Sequence, residues 1–166
     1  NKIGQKFTGS GASDSSQLGG TVLVRASGTA IMLQANQTHH YVADFQLDGN
    51  SLGGSLLLNN GDKYGTYERI DFRGQGGTDY ALRLIGSTNV NSYRDLSFAD
   101  NNYGHIKVTN GLYCIWERIV GGTTNAAAAA VFLDAASGQV IGHRFYGVHF
   151  DEGRILITTT VYDLGW

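Results

Sequence analysis

The chain has 166 residues, with 24 glycines, no proline and a formal net charge of −2. Its 12 lysines and arginines are spread along the sequence, which argues against the concentrated basic surface typical of nucleic-acid-binding proteins. No apolar run approaches the ~18 residues of a membrane-spanning helix, and a single cysteine, Cys114, cannot form a disulfide within the chain. We therefore expect neither a nucleic-acid partner nor insertion into a membrane.

The first 20 residues are polar and small, and they lack any repeat. Such a composition is typical of an extended leader or linker. We predict a leader over residues 1–20 and one folded domain over residues 21–166.

Within the folded domain, pairs of apolar residues separated by one residue recur about every 25 positions. Their first members are Ile31, Leu56, Leu82, Ile106, Val131 and Leu156. Their second members are Leu33, Leu58, Leu84, Val108 and Leu133. Such a pair is typical of a short strand with two inward side chains. A fixed interval of this size indicates a solenoid, in which each turn packs only on its neighbours.

A second strand is predicted in each repeat by another series of pairs. These pairs are Phe45/Leu47, Ile70/Phe72, Leu96/Phe98, Ile119/Gly121 and Val148/Phe150, of which only Gly121 breaks the apolar pattern. Three positions before each pair lies a further inward residue: Val42, Tyr67, Tyr93, Trp116 and Phe145. Three residues cannot keep one face of a flat strand, so a bend is expected between them.

Charged residues support the same alignment. Just before the second pairs, two columns alternate in sign from repeat to repeat: Asp44, Arg69, Asp95 and Arg118 in one, Glu68, Arg94 and Glu117 in the other. Because parallel strands lie ~4.8 Å apart, opposite charges in neighbouring coils can pair across them.

Two or three short strands in each coil of about 25 residues, separated by glycine- and asparagine-rich turns, predict an all-β, single-domain parallel β-helix of about six coils. The general rule for parallel crossovers makes it right-handed. Nothing after Leu156 resembles a cap. We therefore expect both ends to meet another domain, another subunit or further parts of a longer protein.

Four phrases of the sequence carry a resemblance to a known family: VADFQLDGNSLGG (42–54), YERIDFRGQGG (67–77), SYRDLSFADN (92–101) and HRFYGVHFDEG (143–153). They are similar to coils of the pectate-lyase-like β-helix superfamily, to which phage tailspikes and tail appendages belong. The resemblance covers roughly residues 21–165. It implies a homotrimer at the extracellular surface of a virion, in contact with flanking domains or other tail proteins and with host cell-surface polysaccharide. We expect no cofactor.

The residues between the members of the first pairs are expected to point outward. They are Met32, Leu57, Arg83, Lys107, Phe132 and Ile157. A solvated face does not normally carry such an apolar stripe. Loops could cover it, but we favour an oligomer interface formed by Met32, Leu57, Phe132 and Ile157.

The outward positions of the second strands are more polar. One column is Gln46, Asp71, Ser97, Val120 and His149, and the column beside it is Asp48, Arg73, Ala99, Gly122 and Asp151. We predict a glycan-facing surface that includes Asp48, Arg73, His149 and Asp151.

Glycoside hydrolysis needs two carboxylates about 5 to 9.5 Å apart, and coils one or two apart could supply them. The candidates are Asp71 and Asp95, with Glu68 and Glu117 behind them. Against catalysis, Asp95 and both glutamates have oppositely charged neighbours in the predicted ladders, so we do not expect a catalytic centre within this chain alone. The adjacent His39 and His40 lack further ligands at suitable spacing, and we predict no metal site.

Two functions follow as hypotheses. The first is a structural or receptor-binding segment of a trimeric phage tail spike or fibre that contacts host cell-surface polysaccharide. The second is a polysaccharide depolymerase, a hydrolase or a lyase, of the same fold.

Overall fold

The structure is a computed structural model that describes residues 5–10, 20–122, 129–135, 138–151 and 155–158. These residues form an all-β parallel solenoid of about five turns, close to the six coils predicted. No α-helix occurs in these ranges, and none of their segments is a helix that could cross a membrane.

Three parallel sheets run along the solenoid. The seven-stranded sheet, which we call the long-strand sheet, consists of β1 (Lys6–Thr8), β2 (Val22–Val24), β4 (Tyr41–Asp48), β6 (Thr66–Arg73), β9 (Ser92–Ala99), β12 (Ile115–Gly121) and β15 (Arg144–Phe150). The six-stranded sheet consists of β3 (Leu33–Ala35), β5 (Leu57–Asn60), β7 (Tyr80–Ile85), β10 (Gly104–Val108), β13 (Val131–Asp134) and β16 (Ile155–Thr158). The three-stranded sheet consists of β8 (Thr88–Asn89), β11 (Gly111–Leu112) and β14 (Val140–Ile141).

The edge of the long-strand sheet includes a segment of the predicted leader. Strand β1 pairs with the first half of β4, and β2 pairs with its second half. The boundary at residue 20 stays a prediction, because residues 1–4 and 11–19 lie outside the described ranges. The predicted lack of a cap after Leu156 also concerns residues that are largely outside them.

The predicted register of the long-strand sheet is confirmed in every coil. Successive partners across the sheet are Phe45, Ile70, Leu96, Ile119 and Val148 in one column and Val42, Tyr67, Tyr93, Trp116 and Phe145 in another. The rings of the second column stack, with centroids 5.0 Å apart for Tyr67 and Tyr93 and 4.2 Å apart for Tyr93 and Trp116. These stacked rings form one side of the core, and the inward residues of the six-stranded sheet form the other.

The predicted bend is confirmed by the backbone. The residue between the two inward columns has a positive φ in each coil: 68° at Asp44, 52° at Arg69, 51° at Asp95, 52° at Arg118 and 60° at Gly147. This left-handed conformation turns the strand by a corner, so that residues three apart both face the core.

The charged columns at this corner pair as predicted in three cases. The Arg69 guanidinium binds both oxygens of Asp44, at 2.6 and 3.0 Å. Arg118 binds both oxygens of Asp95, at 2.5 and 2.8 Å. The side chains of Arg94 and Glu117 also approach, with 2.8 Å between Nε and Oε2.

Glu68 differs from the ladder prediction. Its carboxylate lies 2.7 Å from Nη1 of Arg69 and accepts a hydrogen bond from the Tyr41 hydroxyl, rather than pairing with Arg94. Arg69 follows Glu68 directly and turns at the corner, which brings its guanidinium back onto the neighbouring side chain.

The register predicted for the six-stranded sheet is confirmed in the middle coils and wrong at both ends, by one residue at Leu56 and Leu156 and by two residues at Ile31. Leu82, Ile106 and Val131 align as predicted. However, Leu57 rather than Leu56 pairs with Leu82, and Ile155 rather than Leu156 pairs with Val131. At the first of these ends, Leu33 takes the place predicted for Ile31.

The shift arises because residues 56–58 and 155–157 are runs of three apolar side chains that satisfy either register. Asn59 is fully buried at an inward position opposite Leu84. Its Nδ2 donates to the hydroxyls of Tyr67 and Tyr93, at 3.1 and 2.8 Å. These bonds favour the observed register, since an unpaired buried amide is costly.

Two predicted outward residues consequently face the other way. Leu57 has no exposed surface and belongs to the core. Ile157 occupies an inward register position, opposite the core residue Leu133. The observed outward column is Gln34, Leu58, Arg83, Lys107, Phe132 and Leu156.

Candidate functional site

The outer surface of the long-strand sheet holds the polar columns predicted from the sequence. Gln46, Asp71, Ser97, Val120 and His149 are successive partners across five coils. Beside them, Asp48, Arg73 and Ala99 are partners in the next column. The register of these strands places the outward side chains of successive coils directly beside one another, ~4.8 Å apart.

Asp71 is enclosed by its neighbours on this surface. It is only 4% exposed. Ser97 donates from Oγ to its Oδ1 at 2.7 Å, and Arg73 donates from Nε to its Oδ2 at 2.6 Å. Both carboxylate oxygens are therefore engaged, which leaves this candidate catalytic group with structural partners.

Asp48, the next predicted glycan-facing residue, shapes the turn that follows its strand. Its Oδ1 accepts a hydrogen bond from the backbone amide of Asn50 at 2.7 Å. This local contact is typical of aspartate at a turn.

The other candidate carboxylates lie at the corner of the strands and take part in the ion pairs described above. The Arg118 guanidinium lowers the pKa of Asp95 by hydrogen bonding to it. The Tyr41 hydroxyl lowers the pKa of Glu68 in the same way. A general acid for glycoside cleavage instead needs a raised pKa, so these contacts favour a structural role.

His149 and Asp151 come together at the far end of the polar columns. His149 Nε2 lies 3.0 Å from Asp151 Oδ1, and both side chains are exposed, at 74% and 68%. They line a shallow cleft of about 170 Å³ with Phe98, Val120, Gly121 and Gly122. The cleft is smaller than the ~300 Å³ at which ligand pockets begin, so it suits one substituent of a larger ligand.

The predicted apolar interface is less continuous than the sequence indicates. Phe132 does lie in the outward column, but the ammonium of Lys107 covers its ring, 4.8 Å from the centroid. Lys107 also pairs with Asp134 at 3.2 Å. Met32 precedes β3 and packs partly buried against the core.

A buried polar network lies near the first coil, beneath a cavity of about 280 Å³ that His40 helps to line. Asp62 is fully buried. It accepts a hydrogen bond from the Tyr67 hydroxyl at 2.6 Å, and its other oxygen lies 3.0 Å from His40 Nδ1. Within the described ranges, no three His, Cys, Asp or Glu side chains gather as a metal ion would need.

The sequence patterns do not reveal one row of exposed side chains. His39, Tyr64, Val90 and Tyr113, which we call the corner ridge, each precede a long strand by two positions and each have a positive φ. Their spacing repeats with the coil, but their residue types differ, so neither an apolar column nor a charge ladder marked them. They form an exposed column that repeats once in each coil, as the buried column of stacked rings does.

Comparison of this chain with known protein families, with curated proteins and with solved structures finds no match.

Proposed function

We propose that this chain is a rigid segment of a trimeric phage tail spike or fibre that binds host cell-surface polysaccharide. The observation that carries the proposal is that outward side chains of five successive coils align in register over a closely packed core. Each coil repeats the same outward positions ~4.8 Å from the last. A linear polymer with its own short repeat is the ligand that such a surface fits.

The chemistry of the outward positions supports a polysaccharide rather than a small apolar ligand. In the polar columns Asp71, Arg73 and Ser97 bond to one another, whereas His149 and the neighbouring Asp151 offer an exposed imidazole and an exposed carboxylate to a ligand. Sugars are recognised by such arrays of hydrogen-bonding groups beside aromatic rings. A rigid scaffold also loses little conformational entropy on binding.

The trimeric state and the place in a virion rest on the resemblance of the coils to those of phage tailspikes. The surface expected to join the subunits is the outward column of the six-stranded sheet. After the register correction this column holds Leu58, Phe132 and Leu156 rather than Leu57 and Ile157. Leu58 is only 5% exposed, so the half-buried Phe132 and Leu156 are the apolar side chains expected to contact a neighbouring subunit.

The depolymerase alternative has less support. Each of the four candidate carboxylates has at least one cationic partner at 2.8 Å or less. Moreover, the pKa values of Asp95 and Glu68 are lowered rather than raised.

Binding to an array of bacterial capsular and lipopolysaccharide glycans, read together with release of new reducing ends, tests both functions on the assembled oligomer. We expect binding without release. Failure to bind any glycan would overturn the proposal. Release that persists in Asp71→Asn and Asp95→Asn variants would place catalysis elsewhere, whereas release lost in both would restore the depolymerase.

A further inference from the structure

We infer that the polysaccharide lies along the corner ridge, in contact with the rings of His39, Tyr64 and Tyr113, and that it is a linear acidic polymer. This inference rests on the proposed function and names the surface and ligand class that serve it. It moves the main contact from the polar columns, where Asp71, Arg73 and Ser97 already satisfy one another, to the opposite end of the long strands.

The backbone of the ridge is the first support. At the corner that leads into each long strand, φ is 61° at His39, 60° at Tyr64, 52° at Val90, 55° at Tyr113 and 65° at Gly142. Glycine adopts this conformation freely, whereas a side chain there is disfavoured, above all a β-branched one. Four coils nevertheless carry a side chain, and such retained strain is typical of functional positions.

The other corner of the solenoid provides a contrast. There the residues with positive φ are aspartates and arginines that pair with one another across the coils. The ridge residues are aromatic or apolar instead, and Tyr64, Val90 and Tyr113 are 55%, 43% and 54% exposed. Since ion pairing does not account for them, their side chains are available to a ligand.

Two of the ridge rings lie against each other. The His39 and Tyr64 rings stack with centroids 5.2 Å apart and planes at 25°. Tyr113 lies over the next coil, where a Cβ placed on Gly142 would be 2.3 Å from Tyr113 Cδ1. A Cβ at position 142 would collide with that ring, so Gly142 leaves the fifth coil without a ridge side chain and the ridge spans four coils.

The ridge runs along the solenoid axis. Thr38, Lys63 and Asn89 bridge in register, and Asn89 in turn pairs with Leu112, the residue before Tyr113. Neighbouring ridge residues are therefore one coil apart, ~4.8 Å, a step comparable to the length of one sugar ring. Because His39 and Tyr64 cover part of each other's faces, a sugar chain along the ridge meets the exposed ring edges and the remaining exposed parts of the faces.

The flanks of the ridge select for negative charge. Thr38, Lys63 and Asn89 lie on one side, and Thr66, Ser92 and Arg144 start the long strands on the other. These flanking columns hold hydroxyl, amide and cationic groups, with the apolar Leu112 and Ile141 on the first side and Ile115 on the second, and no carboxylate in the described coils. Neither Lys63 nor Arg144 is ion-paired with another described residue. Both are thus placed to bind the carboxylates of an acidic polysaccharide.

Affinity electrophoresis tests the inference, in gels that contain alginate, hyaluronan, neutral dextran or the polysaccharide with the strongest array signal. The key variant is Tyr64→Gly/Tyr113→Gly, which removes both rings while giving each backbone position its preferred residue. Its thermal midpoint should not fall. Its affinity for the bound acidic polymer should fall by about tenfold or more, given two lost ring contacts.

The matched control is Tyr146→Ala, which removes a tyrosine that is 47% exposed on the outer face of the long-strand sheet. It should leave binding within about twofold of wild type. Lys63→Gln/Arg144→Gln should abolish the preference for acidic polymers over dextran.

The results distinguish failure of the corner ridge as the binding site from failure of polysaccharide binding itself. If the wild-type chain binds a glycan but the double glycine variant binds equally well, or Tyr146→Ala binds less well, the ridge is not the site and the proposed function stands. Binding of neutral polymers alone would overturn the acidic ligand class. If no polysaccharide is bound at all, the proposed function fails and the inference fails with it.

Discussion

Two buried histidines complete aromatic stacks that the sequence pattern leaves incomplete. His105 inserts its ring between Phe98 and Phe150, with centroids 5.2 and 5.4 Å away, in the space that Gly121 leaves empty. His143 accepts a hydrogen bond at Nδ1 from Trp116 at 3.0 Å and donates from Nε2 to the carbonyl of Gly111 at 2.9 Å. Burial lowers the pKa of both imidazoles, that of His143 to about 4.

The place of His105 makes a small residue essential at position 121. A Cβ on Gly121 would lie 2.4 Å from Phe150 and 2.9 Å from His105, whereas one on Gly122 would meet nothing closer than 3.9 Å. We expect Gly121→Ala to lower the free energy of unfolding by about 1–3 kcal/mol through overpacking. Urea denaturation measures it, and equal stability of Gly121→Ala and Gly122→Ala would contradict the packing described.

The buried neutral His143 predicts acid sensitivity. Its pKa is about 4 in the folded state and about 6.5 unfolded, so the unfolded chain takes up a proton first as pH falls. The stability it contributes is complete above pH 6.5 and falls by about 2 kcal/mol by pH 5. His143→Gln should flatten the stability curve between pH 7 and 5, leaving the smaller slope from His105. An unchanged slope would show that His143 titrates normally.

At the scale of elements, a buried arginine links a strand to a turn of the neighbouring coil. Strand β2 is tied to the turn of the next coil by Arg25, which is 5% exposed. Its guanidinium donates to the carbonyls of Leu52 at 3.1 Å and Ser55 at 2.8 Å, and also to the carbonyl of Gly53. Burial lowers the pKa of this guanidinium, so the carbonyls must compensate for its lost hydration.

Removing this contact should loosen the first turn. Arg25→Met keeps most of the apolar stem but removes the guanidinium that donates to the carbonyls of Gly53, Gly54 and Ser55, while the Leu52 carbonyl keeps its bond from the Gly76 amide. We expect a loss of about 1–3 kcal/mol in unfolding free energy and faster amide exchange in β2. Arg144→Met, at an exposed arginine, serves as the control and should change stability by less than about 0.5 kcal/mol. Similar losses in both variants would contradict the clamp.

At the scale of the whole molecule, the solenoid gives each coil its own neighbours and leaves the outward column of the six-stranded sheet as the expected trimer surface. Sedimentation equilibrium should give three times the chain mass of 17.8 kDa. A monomeric mass at micromolar concentration would contradict the trimer.

A charge on that surface should dissociate the trimer. In Phe132→Glu the new carboxylate lies near Lys107, whose ammonium already covers the Phe132 ring. The fold should therefore be kept. In the trimer, however, the new carboxylate would be a buried charge at the interface. Val120→Glu, at a residue that is 48% exposed on the long-strand sheet, should leave the mass unchanged. Dissociation by Val120→Glu alone would place the interface on the other face.

The sequence by itself determined the repeat, the parallel solenoid and the register of the long-strand sheet. There, bulky inward residues such as Phe45 and Ile70 alternate with polar ones, and only one register buries them. In the runs 56–58 and 155–157 every side chain is apolar, so two registers bury equal surface. Only the tertiary structure decided between them, through bonds such as those from Asn59 to Tyr67 and Tyr93.

For the candidate sites too, the sequence determined one part and the tertiary structure decided the rest. The columns that hold Asp71 and His149 follow from period alone, because strand alternation decides which side chains point outward. The partners that enclose Asp71, and the corner ridge, do not. They depend on side-chain contacts between coils and on a left-handed backbone at His39, Tyr64, Val90 and Tyr113, which residue type does not predict because side chains usually avoid it.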